Sequence, residues 1–435
     1  MHLSSCESFT DIQPFHLEKI RKSNLIKIPS KLQHIVDNYI SKKDLHSIDL
    51  DIEVAKESIY LVASNIMHFS DNHSFKIINQ EFLVKLITGC EVHTLTNFKK
   101  VKTILHILSK GTSKNGPIIE CDNHYKPGIK SKGYRFTLPY YNKGIRTYEL
   151  KNKKIIEIKH KSNSKLMREA LNNTITKNLI FAYQKVVLPT DKEILKEAKR
   201  LIKENFKTKK GKLLAFKGRT SEANLDKTKF SYIEDSINLF HYLVDDGFMI
   251  PIIGDEKSGG RVVDSFVLMP SWIRNLCSID TSKFVELDYQ ALHPNIAISL
   301  YDGHIQNLKH SDIATELNMD ISSIKKEHLS FFNMKPYMMK NCNVWNFYET
   351  YELEMLTNIL AEKQLSENKW KQTSMNLFKK EVDIMTRCIE KLNDIGIFVL
   401  YCYDALYCED YYKEDVIKIM NETILEFNVH TSVKN

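Results

Sequence analysis

The chain has 435 residues, of which 43% are hydrophobic and 27% are charged, and its net charge is +8. This length and composition predict two or three globular domains and exclude a disordered protein. No apolar run approaches the ~20 residues that a membrane-spanning helix needs, and the N-terminal residues lack the pattern of a signal peptide. The eight cysteines form no Cys-x-x-Cys pair, which favours free thiols over disulfides or a zinc site. We therefore expect a cytoplasmic protein with no membrane partner.

The positive charge is concentrated in one stretch of the chain. Residues 151–230 contain 22 Lys and Arg against 8 Asp and Glu, a local charge of +14, so the remainder sums to −6. A basic stretch beside an acidic remainder is typical of a surface that binds a polyanion such as nucleic acid. A lysine-rich solvated surface gives the same totals, and charge alone does not separate the two interpretations.

Residues 1–145 are predicted to form a mostly helical N-terminal domain. A helix is predicted over 95–110, and two strand-like pieces follow on either side of a loop rich in lysine and glycine. Helix, strand, basic loop and strand form the outline of a winged-helix module, which contacts nucleic acid. An ordinary β-hairpin on a helical domain is the alternative. Lys130 and Lys132 in the loop are candidate nucleic-acid contacts.

Residues 146–257 are predicted to form a basic helical region, either thumb-like or connecting two domains. Lys153 and Lys154 are predicted on a strand, and a helix is predicted to begin near Asp191. Candidate contacts to a nucleic-acid backbone in this region are Lys153, Lys154, Lys209 and Lys210.

A short apolar segment, 284–287, is predicted to be a buried strand that ends on an acid, Asp288. Ala291 to Leu300 then predicts a helix, with Gly303 just beyond its end. A carboxylate at the tip of a buried strand is either a helix cap or a metal ligand. The choice depends on whether the chain supplies a second acid in a similar setting.

The second acid is Asp404. Residues 375–395 carry apolar side chains at intervals of three and four, which predicts a helix ended by Gly396. Residues 397–402 and 405–408 predict two strands, with Asp404 at the reversal between them. Asp also favours turns for its own hydrogen bonds. Together with Asp288, however, it gives two carboxylates on rigid elements, which two-metal phosphoryl transfer requires. We expect two Mg²⁺ ions, with Mn²⁺ as a substitute.

Two segments resemble those of a known family. The block DYQALHPNIAISLYDG, which begins at Asp288, resembles motif A of the family A DNA polymerases. The block EVDIMTRCIEKLNDIGIFVLYCYDALYCED resembles their motif C and the helix before it. The preceding Gly-Arg strand and Arg274 helix look closer to a branch of polymerase-like proteins of phages and mobile elements that lack a proofreading domain. The resemblance covers about residues 258–435. It implies an α+β fold with a right-hand palm, an antiparallel sheet with helices, and helical fingers inserted at about 303–372.

The resemblance also implies roles for single residues. Asp288, Asp404 and the backbone of Tyr289 would bind the metal ions. His293 stands where the family often has Glu, near the sugar of the incoming nucleotide, so the choice between ribose and deoxyribose stays open. Tyr403 replaces the family's His beside the catalytic Asp. The other implied residues are Glu381 near the hairpin and primer end, and Arg261, Arg274, Lys326, Lys335 and Lys340 as contacts to nucleotide phosphates. For each of these lysines an ordinary surface position is the alternative.

We therefore predict a template-directed nucleic acid polymerase that adds nucleoside triphosphates to a primer 3′-hydroxyl, with DNA as the expected product. RNA synthesis or template-independent nucleotidyl transfer on the same palm is one alternative. A non-catalytic nucleic-acid-binding protein with a decayed polymerase core is another, motivated by Tyr403 and Ala405. The predicted partners are a primer–template and nucleoside triphosphates. The sequence indicates no oligomeric state.

Overall fold

The computed structural model describes residues 18–67, 75–90, 94–122, 131–141, 144–218, 226–280 and 282–434. Two hydrophobic cores organise these residues. The smaller core runs from Ile26 to Ile155. The larger one runs from Ala170 to Val433 and also takes in Ile20. In the part of the chain that the structure describes, no helix combines the length and the apolar character needed to cross a membrane.

The smaller core is built from helices and two small antiparallel sheets. One sheet pairs β1 with β5, and the other has the strand order β2-β4-β3. The predicted boundary at residue 145 therefore falls at the start of β5, a strand that belongs with the N-terminal core. The elements are β1 (Leu25–Pro29), α1 (Leu32–Asn38), α2 (Lys42–His46), α3 (Ile52–Ile66), β2 (Lys76–Ile77), α4 (Gln80–Thr88), α5 (Leu95–Lys110), β3 (Ile119–Cys121), β4 (Gly133–Phe136), α6 (Leu138–Tyr141) and β5 (Ile145–Glu149).

The basic middle region is mostly helical, and one prediction within it is wrong. Lys153 and Lys154 lie in the first turn of a helix, not on a strand. Asn152 caps that helix, because its side chain accepts hydrogen bonds from the amides of Lys154 and Ile155. The elements are α7 (Lys153–Leu171), α8 (Thr174–Tyr183), β6 (Val186–Val187), α9 (Asp191–Lys203), β7 (Leu213–Ala215), β8 (Phe230–Tyr232), α10 (Ile233–Val244) and β9 (Ile252–Ile253).

The larger core surrounds a five-stranded sheet in the order β13-β14-β12-β11-β6, and every pairing in it is antiparallel. The fold is therefore of the α+β class, as predicted. Six helices, α13 to α18, lie in the chain between the strand that ends on Asp288 and the long helix α19. The elements are β10 (Val262–Val263), α11 (Ser265–Leu268), α12 (Ser271–Arg274), β11 (Ser278–Ile279), β12 (Ser282–Asp288), α13 (Leu292–Leu300), α14 (His310–Glu316), α15 (Ile321–Phe331), α16 (Pro336–Met339), α17 (Asn343–Tyr351), α18 (Leu353–Leu365), α19 (Gln372–Asp394), β13 (Leu400–Cys402), β14 (Ala405–Glu409) and α20 (Lys413–Glu426).

Helix α19 supports the sheet and its surroundings. It packs against α8, α13 and α20. Its buried side chains recur at helical spacing, among them Leu377, Ile384, Met385, Cys388 and Leu392. Helices α8 and α20 in turn contact β13, β12 and β14, so α19 is linked to the sheet through these two helices.

Candidate active site

The two predicted aspartates lie side by side at one end of the five-stranded sheet. Strand β12 pairs with β14 so that Asp288 stands opposite Ala405. Strand β13 pairs with β14 so that Cys402 also stands opposite Ala405, which leaves Asp404 in the two-residue reversal. Neighbouring strands are about 4.8 Å apart. The register of the sheet therefore brings together two carboxylates that are more than a hundred residues apart in sequence.

The electrostatics of this pair follow from the proximity of two like charges. Removal from water, and then the negative charges of Asp288 and Glu381, raise the pKa of Asp404 to about 7. The Oδ1 atom of Asp288 is buried and accepts no hydrogen bond. The site therefore combines a buried carboxylate oxygen that has no hydrogen-bond donor with a neighbouring carboxyl group whose pKa is raised. A cation would stabilise the negative charge of both groups.

These residues fit a magnesium site. Mg²⁺ is commonly held by one or two carboxylates together with substrate phosphates and water, not by a cage of protein ligands. Asp288 and Asp404 supply the carboxylates. The antiparallel bridge between Tyr289 and Val433 consists of two backbone hydrogen bonds made by their neighbours. The Gln290 amide donates one of them, and the Asp288 carbonyl accepts the other, so the bridge does not use the Tyr289 carbonyl. Among the described residues, no group of three or more His, Cys, Asp or Glu side chains is arranged to hold a metal ion.

The hairpin tip carries a strained backbone. Tyr403 has φ +61°, the left-handed region that a residue with a side chain seldom adopts. The Arg261 guanidinium carbon lies 4.9 Å from the centre of the Tyr403 ring. A positive φ at the first position of a two-residue reversal keeps the hairpin tight. The left-handed backbone of Tyr403 and the contact of its ring with Arg261 together fix the conformation of the hairpin tip that carries Asp404.

Behind the aspartates lies a buried ion cluster formed by Glu381, Arg261 and His293, referred to below as the Glu381 cluster. Glu381 is fully buried on α19. Arg261 Nε donates to Glu381 Oε1 at 2.8 Å, and His293 Nε2 lies 2.7 Å from Oε2. Burial acts to raise the pKa of Glu381, yet the hydrogen bond with His293 and the charge of Arg261 hold that pKa below its ordinary value. Glu381 is therefore a buried anion that fixes both partners.

A glycine allows Arg261 to reach this cluster. Gly259 has φ +65°, and a Cβ atom there would lie 2.4 Å from the amide nitrogen of Lys379 on α19. Two residues later, Arg261 lies over the Phe378 ring at 3.8 Å. The Gly-Gly-Arg sequence therefore brings this segment into direct contact with α19.

Arg274 has a different environment from the one that the phosphate-binding prediction requires. Its side chain is buried, and Nη1 lies 3.1 Å from the Sγ atom of Cys402 and 3.4 Å from the Phe266 carbonyl. The guanidinium carbon lies 5.3 Å from the centre of the Tyr407 ring. These contacts join α12 to both strands of the hairpin, so we assign Arg274 to supporting the hairpin.

The predicted fingers lysines contact aromatic rings or solvent. Lys335 lies over the Trp370 ring at 4.8 Å, and Lys340 lies over the Trp345 ring at 5.7 Å. Lys326 is exposed on α15. None of these contacts involves Asp288 or Asp404.

Sequence reasoning missed Lys325, which precedes Lys326 on α15. Burial, and then the charges of Lys325 and Lys434, lower the pKa of His310 to about 4, while the charge of Asp288 acts in the opposite direction. The charges of Lys325, Lys434 and Asp288 therefore all act on His310. No sequence motif distinguishes Lys325 from the lysine that follows it.

Lys434 was also missed, and it makes the most direct contact with the site. Its Nζ donates to Oδ2 of Asp288 at 2.6 Å. The backbone holds it there, because the Lys434 amide donates to the Asp288 carbonyl at 2.9 Å. The Thr431 hydroxyl donates to the Gln290 carbonyl at 2.6 Å. A lysine at the far end of the chain gave no sequence signal, because only the tertiary fold brings it to β12.

A cleft of about 350 Å³ opens beside the hairpin tip. Its lining includes Lys209, Lys210, Trp272, Arg274 and Tyr403. Two of the predicted nucleic-acid contacts, Lys209 and Lys210, therefore lie next to the aspartate pair.

The remaining predicted contacts lie elsewhere. Lys153 and Lys154 are exposed at the start of α7, and Lys132 is exposed just before β4. Lys130 lies outside the described residues.

Comparisons of the chain with models of protein families and with curated proteins find no match. The function of the protein is therefore inferred from the geometry of the site itself.

Proposed function

We propose that the protein is a template-directed nucleotidyltransferase that extends a primer 3′-hydroxyl with nucleoside triphosphates. In this proposal the five-stranded sheet is the palm, and helices α14 to α18 are the fingers. The observation that carries the proposal is the meeting of Asp288 and Asp404 at one end of an antiparallel sheet, with an unpaired buried oxygen on Asp288. Two rigidly held carboxylates are the central requirement of metal-dependent phosphoryl transfer.

The reaction would join the primer 3′-oxygen to the α-phosphorus of the nucleotide and release pyrophosphate. Asp288, Asp404 and the carbonyl of Tyr289 would hold magnesium ions, which activate the hydroxyl and neutralise charge on the phosphates. Lys434 supplies positive charge beside Asp288, where the anionic triphosphate would bind, and in this proposal Lys325 adds positive charge near His310. The protein's contribution is mainly to position these charges.

The Glu381 cluster supports a role in nucleotide placement. His293 is held by Glu381 and lies close enough to Asp404 for its charge to act on that carboxyl group. Arg261 lies between the Glu381 carboxylate and the Tyr403 ring, so it links α19 to the hairpin tip. In this proposal the cluster fixes His293 beside the sugar of the incoming nucleotide. His293 then decides between deoxyribose and ribose.

The cleft beside Tyr403 supports the binding of the primer–template. Lys209 and Lys210 line it, and both belong to the basic segment 151–230 of the sequence. Phosphate contacts from lysines position a nucleic acid without reading its sequence. We therefore place the primer end along this cleft, with its 3′-hydroxyl toward Asp404.

Primer extension tests the proposal and separates it from the alternatives. Wild-type protein with a primer–template and dNTPs should add the nucleotide that the template base specifies. Products made only from NTPs would indicate RNA synthesis, and products made without a template would indicate template-independent transfer. Asp288→Ala and Asp404→Ala should abolish the product. No incorporation on any template by the wild type would overturn the catalytic proposal and leave nucleic-acid binding.

A further inference from the structure

The N-terminal core contains a helix–sheet unit that the proposed active site does not use. Along the chain it consists of α3, β2, α4, α5, β3 and β4, and β4 is the central strand of its antiparallel sheet. Helix α5 packs against α3, α4 and β3. Helices α3 and α4 and the three-stranded sheet hold one side of α5, and the opposite face of α5 is in solvent.

The two faces of α5 differ sharply. The inner face buries Val101, Ile104, Leu105, Ile107 and Leu108. The outer face carries a row of exposed side chains at intervals of three and four, referred to as the basic stripe: Lys99, Lys102, His106 and Lys110. The helix has four lysines and no Asp or Glu. From Lys99 to Lys110 this face therefore presents positive charge that no acidic residue of the helix offsets.

The first turn of α5 is different again. Leu95 is 90% exposed, and Thr96 beside it is also exposed. Thr94 caps the helix by accepting a hydrogen bond from the Asn97 amide. This end thus offers a methyl-bearing pair and the side-chain amide of Asn97, all without charge. Leu95 is therefore an apolar side chain that is accessible for contact at this end of the helix.

We propose that α5 is a docking helix for duplex DNA, lying in the major groove with its first turn toward the base edges. A helix of 16 residues is about 24 Å long, and the major groove of B-DNA, about 12 Å wide, admits a helix. The basic stripe then follows the phosphates, as does Lys132 at the edge of β4. The major groove of double-stranded RNA is too narrow for side chains to read, so the partner is DNA.

The uncharged first turn indicates which bases this helix reads. The amide of Asn97 matches the donor and acceptor that adenine presents in the major groove, and Leu95 and Thr96 match the thymine methyl group. The proposed DNA site therefore contains A·T pairs. This inference goes beyond nucleotidyl transfer, because it gives the protein a second DNA site that binds a particular duplex sequence.

Fluorescence anisotropy of a labelled duplex, recovered from a randomised pool by the full-length protein, tests the inference. Lys99→Gln/Lys102→Gln should bind the duplex more weakly than the wild type. It should also reduce the slope of log affinity against log salt by about 1.8, because each phosphate contact contributes about 0.9. A matched control is Lys42→Gln/Lys43→Gln, which removes the same charge from α2 and should bind as the wild type does.

Asn97→Ala should lose about 5- to 150-fold in discrimination against the duplex in which the A·T pair is replaced, the range for one bidentate base contact. Asp288→Asn should bind the duplex as the wild type does, which separates this inference from the proposed catalysis. Unchanged affinity and salt slope in Lys99→Gln/Lys102→Gln would overturn the proposal. Equal competition by double-stranded RNA would do the same. Circular dichroism of each variant establishes that α5 remains folded.

Discussion

The Glu381 cluster gives the sharpest test of how the site is held together. Glu381→Gln keeps the size of the side chain but removes its charge, so the Arg261 guanidinium, only 19% exposed, loses its counter-ion. Breaking a buried ion pair from one side costs about 3–5 kcal/mol. Because Arg261 keeps its stacking on Phe378 and Tyr403, we expect the lower end, about 3 kcal/mol. For a core of this size that corresponds to a fall in melting temperature of roughly 6 °C.

Urea denaturation of the full chain, followed by circular dichroism, measures this loss. Glu390→Gln on the same helix is the matched control, because Glu390 pairs with Arg387 in an exposed position and should lose less than about 0.5 kcal/mol. The double variant Arg261→Leu/Glu381→Leu should recover much of the stability, since an apolar pair replaces the ion pair without leaving a lone charge. If Glu381→Gln unfolds within about 1 kcal/mol of the wild type, the cluster does not hold the site as described.

Three further predictions concern separate features. Gly259→Ala should lower the melting temperature more than Gly211→Ala, since both residues have positive φ but only Gly259 would place its Cβ against α19; equal losses would show that the close approach is unimportant. The Lys434 ammonium competes with a cation for Asp288. Lys434→Met should therefore bind Mn²⁺ about two- to fivefold more tightly than the control Lys418→Met in electron paramagnetic resonance titrations, the range for a partly exposed ion pair. Weaker binding would mean that Lys434 helps to hold the metal. Burial lowers the pKa of His328 to about 3. Below pH ~6.5 the unfolded chain therefore binds a proton that the folded chain does not bind, and stability should fall as pH decreases from 6.5 towards 3. His328→Gln should reduce the slope of unfolding free energy against pH in this window, and an unchanged slope would exclude His328 as its source.

Local pattern was enough to place the two aspartates. The apolar run before Asp288 and the run after Asp404 are strands as predicted, and the helical spacing before Gly396 is α19. The strand predicted over 397–402 begins only at Leu400. Each of these signals is contained within a few consecutive residues, where periodicity is informative. The pairing of β12 with β14 joins segments far apart in sequence, so its register could not be predicted from local pattern.

Errors arose where a local signal had two interpretations. The alternating lysines and isoleucines after residue 152 suit a strand, but the Asn152 cap starts a helix there. Arg274 has the chemistry of a phosphate contact, yet the fold buries it against Cys402 and Tyr407. Charge alone does not indicate whether an arginine faces solvent or a hairpin.

The residues that sequence reasoning missed reach the site only through the tertiary fold. Lys434 depends on the bridge between Tyr289 and Val433. Lys325 depends on the packing of α14 against α15. The contact of Lys434 with Asp288 spans 146 residues of the chain, which no spacing rule encodes.

Single-turnover incorporation of one labelled dNTP into a primer–template, with Mg²⁺ and saturating nucleotide, tests the central claim most directly. Asp404→Asn preserves the shape of the hairpin tip and removes one of the two paired carboxylates. Asp410→Asn, at the opposite end of β14, removes an exposed carboxylate from the same hairpin. If Asp288 and Asp404 are the catalytic pair, the rate should fall at least about a thousandfold in Asp404→Asn, as expected for the loss of a principal charge-stabilising group, and remain unchanged in Asp410→Asn. A rate within tenfold of the wild type in Asp404→Asn would contradict the claim.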